Sequence, residues 1–216
     1  MSLLINYNID IKHVEMFREI YNQNTNESIY LVIACNALFV VNDIRPAYLF
    51  SYHYFANSYE DLQNITPLKL KEQRVINILK NYLTVTETSY GIFVTKEKIP
   101  VITISKLEQL IVNKYKIELD NLVGKLLGYP IEFIGDLNYI NKRKYVYRIY
   151  VKDTLAQKHN CLFSVICHKD IDIWFEFKTQ DMQKVLNELK KINSILNIDT
   201  YFTKQPITFH PYVCKL

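Results

Sequence analysis

This 216-residue sequence predicts an α+β protein, predominantly α-helical, with a small antiparallel sheet in its second half and extended terminal arms. Three observations predict that class. Several segments repeat apolar residues at helical spacing behind recognisable caps. One stretch, KYVYRIYVK at 144–152, alternates apolar and polar residues as a half-buried strand does. The two ends, 1–9 and 198–216, carry no helical period. The length fits a single domain over 1–216, with an N-terminal arm at 1–9, a body at 10–197 and a C-terminal arm at 198–216.

The first helix is expected behind Asp10, with Ile11, Val14, Phe17 and Tyr21 on one face, and residues 22–26 as a loop. The run SIYLVIACNALFVV at 28–41 fits either a buried strand or a buried helix. Asn36 and its small neighbours Ala34, Cys35 and Ala37 tilt the reading toward helix. Asn42 and Asp43 break it, and Pro46 is placed as the first residue of a helix reaching Asn57. Thr66 and Pro67 read as the N-cap and first residue of a helix through Leu83. Residues 84–90 read as a connector, and 92–95 with 100–104 as a short hairpin around TKEK. Ser105 is expected to cap the next helix, with Glu108 at capping-box spacing. A further short helix should end at Gly128, with Pro130 beyond it. CLFSVIC (161–167) and IDIWFEF (171–177) are expected to flank the alternating strand as a meander. Thr179 opens a last helix striped by Met182, Val185, Leu186, Leu189, Ile192 and Leu196.

Ile (27), Asn (19), Lys (21), Tyr (17) and Phe (11) make up 95 residues, whereas Gly occurs only 4 times. Lys outnumbers Arg 21 to 5 although both supply positive charge, which points to an AT-biased genome. The net charge of +4 is too mild to identify a nucleic-acid binder. The longest apolar run, 29–41, contains Asn36 and is too short to span a bilayer. The start has no basic n-region or cleavage pattern, so a cytosolic or nuclear chain with reduced thiols is expected. Four glycines leave little room for phosphate-cradling loops. No nucleophile elbow, P-loop or dinucleotide fingerprint is present, and neither enzymatic activity nor a cofactor is expected.

The closest approach to catalytic chemistry is Glu176-Phe177-Lys178, with Asp153 or Asp170 upstream. This resembles the D…E-x-K arrangement of Mg²⁺-dependent nucleases, in which carboxylates hold the metal and Lys orients the attacking water. The same residues fit an alternating strand with its charges in solvent. His159, Cys161, Cys167 and His168 contain zinc-ligand types but lack the usual Cys pair spacing, and buried thiols describe them as well. His168, Asp170 and Asp172 alternate within what reads as a polar turn. The aromatic, basic strand beginning at Lys142 offers bases a stacking surface, or a packed face and a charged one. Lys142, Arg143 and Lys144 form a minimal nuclear-import patch, or a solvated turn.

Residues 38–55, LFVVNDIRPAYLFSYHYF, carry a resemblance. A hydrophobic run ends in Val-Val-Asn, an Arg-Pro pair follows, and then a stretch of aromatic and basic residues. The segment is similar to one in the baculovirus polyhedrins, where that last stretch is a helix, and it covers under a tenth of the chain. It implies a viral structural protein of nudivirus-type polyhedrin kind, self-assembling into a crystalline occlusion body around virions. It implies residence in the host nucleus or cytoplasm during infection, then in an extracellular particle. The basic run departs from that family, whose comparable run lies near the N-terminus, and so does the absence here of an evident β-rich core. In this reading the partners are further copies of the chain and the embedded virions, with neither membrane nor nucleic acid. Cys214, on the C-terminal arm, becomes an intermolecular disulfide candidate, with Cys161 and Cys167 as a possible additional disulfide. The resemblance also implies alkaline dissolution. At pH ~10.5 ionised Tyr and neutralised Lys would swing the charge from +4 to on the order of −20.

Overall fold

A computed structural model describes residues 10–43, 45–56, 58–128, 143–153, 158–168, 190 and 199–206. It is mostly helical, with small antiparallel sheets. The described elements are α1 (Ile11–Tyr21), α2 (Ser28–Val41), β1 (Ala47–Phe50), a 3₁₀ turn (Tyr52–Phe55), α3 (Tyr59–Gln63) and α4 (Ile65–Leu79). They continue with β2 (Thr84–Glu87), β3 (Ile92–Thr95), α5 (Val101–Val112), α6 (Lys116–Leu126), β4 (Arg143–Asp153), β5 (Lys158–His168) and β6 (Asp199–Pro206).

Asp10 caps α1 as expected, its carboxylate accepting the Lys12 backbone N–H at 3.0 Å. The buried face is Val14, Met16, Phe17 and Ile20; Ile11 is exposed. The ambiguous run 28–41 is a helix. Eleven residues of α2 are buried, so it is wrapped on nearly every side rather than amphipathic. α1 packs along it, and β1, β3 and β5 also approach it. Each fully buried Phe39, Leu38 or Ile33 contributes about 1.5–3 kcal/mol. That makes α2 the organising element of the first half.

The chain after Pro46 forms a strand and a 3₁₀ turn, not the expected helix. Tyr48 and Phe50 are buried, with half-buried Leu49 between them, and β1 pairs antiparallel with β3 from Ala47↔Thr95 to Phe50↔Ile92. The expected connector at 84–90 contains strand β2, from Thr84↔Thr95 to Glu87↔Ile92 on the other edge of β3. All four β3 residues are buried, as suits a central strand with both faces covered. The sheet order is β1-β3-β2, so the first half holds a sheet that local patterning did not reveal.

The expected hairpin partner at 100–104 instead opens α5, with Pro100 as N-cap. β3 already has two strand neighbours, so 101–104 has no edge to join. Ser105 is therefore inside the helix, and Glu108 accepts the Ser89 N–H at 2.8 Å rather than closing a capping box. α4 starts before Thr66, capped at Asn64, and Pro67 occupies its first turn, where no intrahelical N–H is lost. The capping box occurs at Ser58 and Asp61, opening α3. Gly128 follows α6 with φ +87°, the C′ glycine expected there.

The second sheet has the order β5-β4-β6. The alternating strand and its first partner are as expected. The third strand is β6, from Tyr145↔Pro206 to Lys152↔Asp199. The expected third strand, 171–177, lies outside the described residues. The beginning of the expected C-terminal arm is thus paired within the chain's own sheet, its Tyr, Phe and Thr residues suiting a pleated surface. Pro206 ends this edge strand, where a missing N–H is tolerated. The N-terminal arm at 1–9, the end of the C-terminal arm at 207–216 and most of the expected last helix lie outside the described residues.

One core cluster joins α1, α2, α4 and the first sheet around Phe39, Ile33 and Phe50. A second lies under α5 and α6 around Phe93, Leu107 and Val123. No described helix is long and apolar enough to cross a membrane.

Candidate self-association surface

The Arg-Pro turn is a structural clamp. Arg45 is only 5% exposed, and Asn36, in the middle of α2, is fully buried. The Arg45 Nη1 donates to Asn36 Oδ1, and its Nε donates to the Ala47 carbonyl at 2.8 Å. The guanidinium lies 5.4 Å from the centroid of the Tyr48 ring. Asn36 in turn donates to the Val32 carbonyl at 2.9 Å. A buried guanidinium cannot shed its charge, so it persists only with partners supplied by the fold. These contacts fasten the start of β1 onto α2. Asp43 makes the reversal between them in the left-handed region (φ +57°) and pairs with Lys96 at 2.7 Å. The clamp had a legible signal: an Asn inside an apolar run and an Arg nine residues on, each needing a polar partner if buried.

Beyond the clamp His53, Tyr54 and Tyr59 are exposed, whereas Tyr52 is partly and Phe55 fully packed into the core. The Tyr52 and His53 rings stack at 4.0 Å, and the Lys69 ammonium lies 5.6 Å from the Tyr52 centroid. Tyr54 is half exposed and Tyr59, opening α3, is 78% exposed. Leu62 on α3 and Ile65 and Leu70 on α4 are exposed as well. A second set lies on the next two helices: Val101 and Ile102 begin α5, and Val112, Tyr115 and Ile117 span its end and the start of α6. Of these, Ile102 is 80% exposed. Tyrosines such as Tyr54, Tyr59 and Tyr115 are of a residue type enriched in protein contacts.

Tyr30, Tyr48, Tyr54, Tyr82 and Tyr90 are all held above the usual tyrosine pKa, in each case first by burial. The charge of about −20 expected at pH ~10.5 is an upper bound in which buried groups resist ionising, and these five tyrosines are such groups: they keep their protons longer. Cys35, fully buried, is pushed up as well.

The sequence-derived site residues are distributed as follows. Cys161 and Cys167 lie six residues apart along β5, opposite Tyr150 and Tyr145. At about 3.3 Å per residue they are roughly 20 Å apart, far beyond the ~7 Å reach of a disulfide, so they do not bridge each other. His159 and His168 occupy opposite halves of the same strand, on the order of 30 Å apart, so the four residues do not share one zinc ion. Asp153 ends β4 opposite Lys158. Asp170, Asp172, Glu176 and Lys178 lie outside the described residues, as does Cys214. Arg143 and Lys144 begin β4 rather than forming a turn, and Lys142 is outside. No group of three or more His, Cys, Asp or Glu is placed to hold a metal among the described residues. Compared with family models, curated proteins and solved structures, the chain matches none.

Proposed function

We propose that this chain is a structural viral protein that self-assembles into an intracellular crystalline occlusion body, protecting virions and dissolving at alkaline pH. The observation that carries the reading is the set of large apolar side chains left exposed on α3, α5 and α6, led by Tyr59, Ile102 and Val112. Copies packed in a lattice would cover such groups. Removing apolar surface from water contributes about 25 cal/mol per Å², so shallow contacts repeated many times hold a crystal together. The polyhedrin-like Val-Val-Asn…Arg-Pro segment adds support through its turn. Its downstream part is a strand and a 3₁₀ turn, and so differs from the helix of that family.

In this reading the partners are copies of the chain and the embedded virions, Lys142, Arg143 and Lys144 direct nuclear entry, and Cys214 cross-links subunits. Expression of the full chain in insect cells, followed by electron microscopy and powder diffraction of the cells, tests it. Crystalline bodies composed mostly of this chain are the expected result. A protein that sediments as a soluble monomer at high concentration and forms no particles in cells would overturn the reading.

A further inference from the structure

The alternating strand β4 is central in the second sheet, and its register sorts the alternation into two unlike faces. One face carries Tyr147 and Ile149 of β4, Val165 and Phe163 opposite them on β5, and Phe202 on β6. The other carries Arg148, Tyr150 and Lys152 of β4, with Thr203, Tyr201 and Asp199 as their partners on β6. On that second face β5 adds Ser164 opposite Arg148 and His159 opposite Lys152. α2 approaches both β4 and β5. An antiparallel sheet packed on one side commonly buries its apolar face and leaves its polar face to water.

The tyrosine pair on the polar face is a product of the fold, since Tyr150 and Tyr201 are far apart in the chain and directly opposite in the sheet. Arg148 and Lys152 stand on either side of Tyr150, each roughly 7 Å away along the strand. Arg143 and Lys144 open the same strand. We propose that this face binds single-stranded nucleic acid, with bases stacked on Tyr150 and Tyr201 and the phosphodiester backbone held by Arg148 and Lys152. Every base has a π-face and every linkage a negative charge, so an aromatic pair between two cations suits this ligand whatever its sequence. Sheet modules that bind RNA use the same placement, with aromatic residues that stack two or three bases. Asp199, opposite Lys152, offsets part of the charge there, so Arg148 carries the larger share of the phosphate contact. The net charge of +4 describes the whole chain, whereas the register gathers cations and tyrosines locally. Such binding goes against the partner set that the polyhedrin resemblance implies, and it is independent of self-assembly.

Fluorescence anisotropy of the full-length chain with labelled oligothymidylate and oligouridylate, and with a duplex of equal length, tests the assignment. Single strands should bind with a dissociation constant of about 10⁻⁶–10⁻⁴ M at physiological salt and more tightly than the duplex, the tighter of the two identifying the sugar. Tyr150→Ala and Tyr201→Ala should each weaken binding about 5- to 100-fold, and Tyr201→Phe, which keeps a ring, should restore most of the loss at that position. Arg148→Gln should flatten the plot of log affinity against log salt by about 0.7, the effect of losing one phosphate contact on a single strand. Lys204→Gln removes the same charge from the opposite face and should leave the affinity nearly unchanged. Circular dichroism checks that each variant folds. Tyr201 lies on an edge strand, so its variant decides if Tyr150→Ala unfolds. No binding at about 10⁻⁴ M protein, equal affinity for the duplex, or a folded tyrosine variant that binds as tightly as the parent would overturn the proposal. Equal losses in Lys204→Gln and Arg148→Gln would overturn the choice of face.

Discussion

Raising the pH should loosen the subunit from inside, through Cys35 and Tyr48. Cys35 is fully buried and Tyr48 only 6% exposed. Burial pushes the Cys35 thiol up; it does the same to the Tyr48 phenol, where Tyr54 and Cys35 add to the effect and the Arg45 guanidinium opposes it. Both groups are neutral when protonated, and their folded values lie above the unfolded ones of about 8.5 for Cys and about 10 for Tyr. Each therefore contributes stability that is full below the unfolded value and is lost as pH rises toward the folded value. In that window the loss is about 1.4 kcal/mol per pH unit per group. At pH 11 the two groups together withdraw on the order of a few kcal/mol. A domain's total stability is about 5–15 kcal/mol, so the effect is a measurable share of it. Urea titrations followed by circular dichroism at pH 8, 10 and 11 would measure it. The double variant Cys35→Ala/Tyr48→Phe should lose several kcal/mol less between pH 8 and 11, whatever its stability at pH 8. An identical pH dependence in the double variant and the parent chain would refute the reasoning. In an occlusion body the same chemistry would couple alkaline release to loosening of the subunit as well as to surface charging.

Three further outcomes are expected. Asn36→Leu or Arg45→Met alone should cost about 1–3 kcal/mol by stranding a buried polar partner, whereas the pair together should cost less than the sum, as read by urea midpoints in a double-mutant cycle. Gly128→Ala should destabilise by at least about 1–2 kcal/mol, because φ is +87° and a Cβ there would stand 2.4 Å from Pro46 Cγ; a thermal midpoint equal to the parent's would contradict this. Non-reducing electrophoresis of alkali-dissolved particles, with thiols blocked beforehand, should give dimers that Cys214→Ser abolishes, and peptide mapping should find no Cys161–Cys167 link.

The sequence by itself determined the elements whose signals are local. Asp10 announced α1 because its carboxylate reaches back to a free N–H within its own turn. The 144–152 alternation announced β4 because period two is a property of the strand alone. Gly128 announced the end of α6 because only a residue without Cβ enters that backbone region at no cost. Tertiary structure decided the rest. Ala47–Phe50, Thr84–Glu87 and Val101–Ile104 are short, and each fits helix or strand equally well. Their state depends on β3, which accepts two neighbours and leaves the third segment to become a helix. β6 likewise exists through β4, more than forty residues earlier in the chain. The Asn36–Arg45 clamp and the sheet face that pairs Tyr150 with Tyr201 belong to the same class. They are made by residues from different elements, and a single sequence records which residues need partners but not which element supplies them.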